Sequence, residues 1–196
     1  MSSQISGYTY GTSAVPPAPI TLSDLDLIFR SLLLSEEDLG WLRKAQGILK
    51  PQVEKLLDVW YGFVGSNPHL LYYFTDSETS KPIGEYLEAV RKRFGQWVLD
   101  LTSGAFDQDW LNYQFEIGRR HHRSGKNRTD NVSSVAHIPF RYLMALVYPI
   151  FITVRPFLEK GDNSRDEVDK MHQAWLKAVL LSAILWAYPY VTEGDF

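Results

Sequence analysis

The chain holds five histidines, His69, His121, His122, His137 and His172, and no cysteine. Without thiolates there are no disulfides and no zinc–thiolate, iron–sulfur or thiolate-ligated metal site, so a metal would have to be held by His, carboxylate, Tyr or Met. His121 and His122 stand next to each other in WLNYQFEIGRRHHR. Neighbours on a helix point about 100° apart and cannot both face one pocket. Trp110, Gln114, Ile117 and His121 form one stripe of that helix, and Leu111, Phe115, Gly118 and His122 form the next. Both stripes are partly apolar, so spacing leaves the choice of histidine open. The basic run RRHHR, with Lys126 and Arg128 beyond it, has two readings. Cations near a helix C-terminus favour the helix dipole. Alternatively, a metal-ligating histidine is accompanied by cations that neutralise the carboxylates of a cofactor.

Trp60-Tyr61 and Phe94 are the other candidates. Aromatic packing accounts for Trp60 and Phe94, whereas a tyrosine facing a buried site offers an O–H donor to a polarised ligand oxygen. Other signatures are missing: there is no GxSxG, no GxGxxG, no P-loop and no repeated Glu-x-x-His. The adjacent Glu36 and Glu37 fall in a helix-capping turn, where solvated charge is the default.

The elements that would position these residues read as helices. Pro16, Pro17 and Pro19, with Gly7 and Gly11, mark residues 1–20 as an irregular arm. Thr21 caps a helix over Leu22–Leu33, and Ser35 caps the next, through about Ile48. Pro51 opens a third, with Val53, Leu56, Leu57, Trp60, Tyr61 and Val64 at helical spacing. A short helix at HLLYYF precedes the polar loop TDSETSKPIG. Further helices are expected over Glu85–Leu101, from Asp107 or Asp109 to about Gly125, over His137–Leu158 with a kink at Pro149, and over Asp166–Tyr188. No strand pattern or repeat stands out.

The 196 residues fit one domain of ordinary size. A net charge of -3 gives no general pull toward nucleic acid or an anionic membrane. No uninterrupted apolar run reaches the length of a membrane span, and the N-terminus has no basic and apolar signal pattern. A cytoplasmic protein without nucleic-acid or membrane partners is the expectation.

Several long blocks in one order carry a family resemblance. They are GYTYG at 7–11, WYGFVGSNPHLLYYF at 60–74, YLEAVRKRFGQWVLD at 86–100, NYQFEIGRRHHR at 112–123, RYLMALVYPI at 141–150 and the ending YPYVTEGDF. The sequence closely resembles the protoglobins, haem globins related to the globin part of globin-coupled sensors. The resemblance implies an all-α, 3-over-3 globin fold over residues 21–196, with an extra helix before A and no D helix. Residues 1–20 would be an arm covering the haem. The cofactor would be haem b (iron protoporphyrin IX), ligated by the first histidine of the pair, His121. Trp60 and Tyr61 on helix B and Phe94 on helix E would form the distal wall, with Leu146 and Ile150 on helix G lining the pocket. Leu146 stands where relatives often carry Phe, which would widen the pocket. Ala136 replaces a common Pro and Phe115 a common Tyr. Arg93 is a candidate partner for a haem propionate, a solvated surface Arg being the alternative.

The function so implied is reversible binding of diatomic gases (O₂, CO, NO) at a pentacoordinate iron, as carrier, scavenger or sensor. The alternative is a haem enzyme for nitric oxide or peroxide detoxification, or a scaffold for promiscuous carbene and nitrene transfer. No dedicated native catalysis is expected. The resemblance and the apolar AVLLSAILWAYPY also point to a homodimer through helices G and H.

Overall fold

The computed structural model describes residues 5–192 and 194–196. Among them no strand forms, and the only β-type pairings are isolated bridges at Thr75–Pro82 and Asp76–Ser134. Residues 1–4 of the expected arm lie outside the described residues.

Helix starts follow capping chemistry. Helix α1 (Leu22–Ser31) begins at Thr21, α2 (Glu36–Leu49) at Ser35 and α9 (Arg165–Trp186) at Ser164. Each cap hydroxyl accepts the N–H of an acidic residue three positions on, which reaches back to the cap N–H. Pro51 lies in a 3₁₀ turn, Lys50–Gln52, that leads into α3 (Val53–Ser66). Then come α4 (Pro68–Leu71), a 3₁₀ turn at Tyr72–Phe74, α5 (Gly84–Thr102) and α6 (Gln108–His121), the last capped by Asp107. The expected helix over His137–Leu158 is divided into α7 (Phe140–Ala145) and α8 (Val147–Leu158). Pro149 explains the break, because its ring crowds the carbonyl of Ala145 four residues back. A 3₁₀ turn, Tyr188–Tyr190, follows α9.

One expectation needs correction. Helix α6 ends at His121, four residues short of Gly125, because His122 has extended backbone (φ -91, ψ 157). Gly125 is not a left-handed cap. It lets the chain fold back on the helix end, where a Cβ would lie 2.8 Å from the Arg119 carbonyl oxygen. Phe140–Leu158, taken as one helical stretch, is long and apolar enough to cross a membrane by length and composition. In this fold it packs against α9 and α3.

Helix α9 is the centre of the molecule. It packs on α2, α8 and α6, and buries Met171, Trp175, Ala178, Leu181 and Leu185. They meet Leu42 and Leu49 of α2, Leu101 of α5, Trp110 and Leu111 of α6 and Leu158 of α8. A smaller apolar cluster of Trp60, Val64 and Leu70 takes in Tyr61, Phe74, Phe94, Tyr142, Leu146 and Ile150. The space between the two clusters holds the candidate site.

Candidate functional site

A cavity of about 200 Å³, partly open to solvent, is bounded by α3, α5, α6, α7 and α8 and by the end of α9. Its walls are mainly apolar and aromatic, and its cations, Arg93, Arg120 and Lys126, come from α5, from the end of α6 and from the loop after it.

His121 lines this cavity from the last turn of α6. Its Nδ1 lies 2.8 Å from the Ile117 carbonyl oxygen. A carbonyl only accepts, so Nδ1 carries the proton and Nε2 keeps its lone pair. Burial lowers the imidazole's pKa and holds it neutral. The ring stacks on Trp186 at 5.2 Å and 18°. Trp186 is fixed in turn by its Nε1–H, which donates to Gln114 Oε1 at 3.0 Å. This arrangement needs α6 and α9 in close contact, and Gly118 permits it. A Cβ there would lie 2.9 Å from Trp186 Cα and from its carbonyl oxygen.

His122 is held elsewhere. Its Nδ1 accepts the Ser124 N–H at 3.2 Å, and its ring meets the edges of His137 and Tyr190, each at 5.1 Å. His69 packs near Tyr142, and His172 donates through Nε2 to the Phe151 carbonyl. None of His69, His122, His137 and His172 lines the cavity. Among the described residues no group of three His, Asp or Glu could hold a metal ion by itself. The one imidazole with a free nitrogen at the cavity suits a metal that brings its own planar ligands.

The other expected residues, Trp60, Tyr61, Phe94, Leu146 and Ile150, also line the cavity. Trp60 lies against Phe94 at 5.7 Å, and Phe94 stacks on Trp97 at 5.3 Å and 11°. Tyr61 sits edge-on to Phe74, with the Arg91 guanidinium 5.8 Å from its ring centre. Burial raises the Tyr61 pKa, so its hydroxyl stays a donor. Leu146 falls at the break between α7 and α8, where the backbone turns.

Arg93 is neither solvated nor free. Its two Nη groups grip both Asp130 oxygens at 2.9 and 2.6 Å, and Nη1 also donates to the Ser6 carbonyl. The arm closes over this edge of the cavity. Arg120 donates to the Gly7 carbonyl at 2.7 Å and to Thr9 Oγ1 at 2.9 Å, and the Tyr8 hydroxyl donates to Asp100 at 2.7 Å. Gly7 has φ +72, and a Cβ there would fall 2.5 Å from Thr129 and 2.6 Å from Arg93, so the contact requires glycine.

Sequence reasoning did not single out Trp97, Trp186, Tyr73, Tyr86, Arg120 or Lys126 as lining residues. The aromatic ones read as ordinary core, and the two cations read as part of a helix-end charge run. Burial separates Lys126 from that run: it is 3 % exposed.

A family model described as Protoglobin matches residues 21–196. Among solved structures, the chain is similar to the globin domain of a Geobacter sulfurreducens globin-coupled sensor. That likeness has a TM-score of 0.66 at 14 % identity and covers 86 % of this chain and 98 % of the other. It shows an all-α globin fold. No curated protein sequence matches the chain.

Proposed function

The chain belongs to the protoglobin family of haem globins, and on that premise we propose that it binds diatomic gases reversibly at a haem whose iron is ligated by His121. His121 would hold the haem, which when bound would supply an iron able to take up O₂, CO or NO. The observation that carries this reading is the free Nε2 of His121 at the wall of a mainly apolar cavity, with Nδ1 committed to the Ile117 carbonyl. A carbonyl partner on the second ring nitrogen fixes the tautomer and makes the imidazole a better ligand.

The other residues then take distinct parts. Trp60, Phe94, Leu146 and Ile150 exclude water from the gas side. Tyr61 offers the O–H donor there, and since its hydroxyl makes no hydrogen bond among the described residues, it is available to the ligand. A surface pocket shares Tyr61 and Val64 with the cavity and is bounded by Gly65, Leu87 and Arg91 between α3 and α5, which suits a route for gas entry. The arm, through Gly7, Tyr8 and Thr9, covers the polar edge. Haem b is the form expected, since no cysteine is present for a thioether link. Arg93 is already neutralised by Asp130 and tied to the Ser6 carbonyl, so we assign it to holding the arm and the loop.

The test is the absorption spectrum of the ferric, ferrous and CO forms of wild type, His121→Ala and His122→Ala. Loss of the histidine-ligated spectrum is expected for His121→Ala alone. Retained five-coordinate haem with normal CO binding in that variant would refute the assignment.

A further inference from the structure

Lys126 is the buried charge that the gas-binding reading leaves unused. Three cations line the cavity, and two are already neutralised. Arg93 is paired with Asp130 and Arg120 with Glu116. Among the described residues Lys126 has no carboxylate within salt-bridge distance. Its Nζ donates instead to neutral oxygens: the Tyr73 carbonyl at 2.9 Å, Asn127 Oδ1 at 3.3 Å and Ser134 Oγ at 3.4 Å. The Tyr86 ring lies 5.2 Å away. Asp130 acts on it from a distance, but both Asp130 oxygens are held by Arg93.

A buried ammonium without a countercharge is costly, and an apolar side chain of similar volume would fill the space at less cost. No hydrogen bond requires the charge. The Tyr73 carbonyl also accepts from Ser134 Oγ at 3.1 Å, so it would remain satisfied without the lysine. Burial lowers the lysine's pKa to about 8, which leaves it mostly protonated at neutral pH. Position adds to this. Lys126 lies five residues beyond His121, in the loop that follows α6, so one short segment can supply both an imidazole for a metal and a cation for an acid group.

We infer that Lys126 is a cofactor-binding residue whose ammonium takes a carboxylate of the cofactor. The inference rests on the haem reading above, under which that carboxylate is a propionate. Arg93 is already neutralised by Asp130, whereas Lys126 has no countercharge and would exchange only one of its long bonds, to Asn127 or Ser134, for the carboxylate.

Lys126→Met removes the charge and keeps an unbranched side chain one atom shorter. It is compared with wild type after loading with haem and with haem dimethyl ester, which presents no carboxylate. The readouts are cofactor loss to excess apomyoglobin, followed at the Soret band, and the thermal midpoint of each protein without cofactor. A charged hydrogen bond lost from the complex should speed haem loss on the order of 10–100-fold. The ester should leave both proteins at the same rate, and the cofactor-free variant should be at least as stable as wild type. Equal haem loss from the two proteins overturns the proposal. So does an ester lost faster from the variant by the same factor, which would mark a packing defect. If the Met variant does not fold, Lys126→Gln, which keeps a donor for the Tyr73 carbonyl, gives the same comparison. Wild type that takes up neither haem nor ester overturns the haem reading and this inference together. The other outcomes bear on Lys126 alone.

Discussion

At the scale of single residues, two side chains carry separable predictions. Tyr61 is expected to slow the escape of a polar ligand such as O₂ through its hydroxyl and to affect CO little. Tyr61→Phe removes one neutral hydrogen bond, a loss of about 0.5–1.5 kcal/mol, so O₂ dissociation should rise about 2- to 10-fold. Flash photolysis or stopped-flow measures both gases, and an equal change for O₂ and CO would count against a hydrogen bond. Lys126 carries a pH dependence. Its pKa is lowered to about 8 in the fold, from 10.5. The unfolded chain therefore holds more protons between these values, and stability must rise with pH across that window. Below pH 8 both states are charged and the burial penalty is fully present. Above 10.5 neither is charged and the penalty is gone. The cofactor-free wild type should thus gain up to about 3 kcal/mol relative to Lys126→Met between pH 8 and 10.5, read by urea denaturation. A flat difference across that range would show that the lysine is not desolvated. The sequence by itself left His121 and His122 level. Spacing assumes a helix that continues past both, but the helix ends between them, and the extended backbone of His122 sends its ring toward His137 and Tyr190. Lys126 was visible only as one charge in a basic run, since burial depends on how the loop folds back over Tyr73.

At the scale of elements, most helix starts were legible to within two residues, most closely where capping is local, while the start expected at His137 falls at Phe140, which has no side-chain cap. Thr21, Ser35 and Ser164 each meet their acidic partner three positions on. Helix ends and close packing were less so, because they depend on distant contacts. Gly118 is the clearest case. In sequence it is a weak spot in a helix, but in the fold it lets the backbone of α9 approach α6. Gly118→Ala would gain up to about 1 kcal/mol of helix propensity. Against this, the added Cβ meets backbone atoms of Trp186, which cannot swing aside as a flexible side chain would, and overpacking of this kind costs about 1–3 kcal/mol. The second effect should win. The variant is expected to lose about 1–2 kcal/mol by denaturant unfolding and to show a broadened Soret band, because Trp186 carries the His121 ring. A variant at least as stable as wild type, with an unchanged spectrum, would show that α6 and α9 can part without cost.

At the scale of the whole molecule, the same apolar content serves two different purposes in α9 and in α7–α8. The apolar run AVLLSAILWAYPY suggested a helix covered on both sides, and α9 is indeed enclosed, but by α2, α6 and α8 of its own chain. The uncovered apolar surface lies on the other helix of the expected pair. Met144, Tyr148 and Ile152 recur every four residues along α7 and α8, with Phe140 one turn before, and they are 39, 66, 44 and 41 % exposed respectively. This face, together with the residues packed inward, gives Phe140–Leu158 the apolarity of a membrane span. A second copy of the chain would cover the face symmetrically, as a two-fold interface requires, with each Tyr148 and Ile152 meeting its counterpart or a near neighbour. The site does not depend on these residues, since Leu143, Leu146 and Ile150 face the cavity and the outward residues do not line it. Replacing Tyr148 and Ile152 by glutamate should therefore separate assembly from haem binding. Four carboxylates buried across such an interface would repel each other and lose their water, so the double variant should sediment as a monomer at micromolar concentration, where wild type is expected to sediment as a dimer. Its Soret band and CO spectrum should match those of wild type. A double variant that still sediments as a dimer would move the interface away from α7–α8. A wild type that is monomeric at every concentration would leave that face to some other partner.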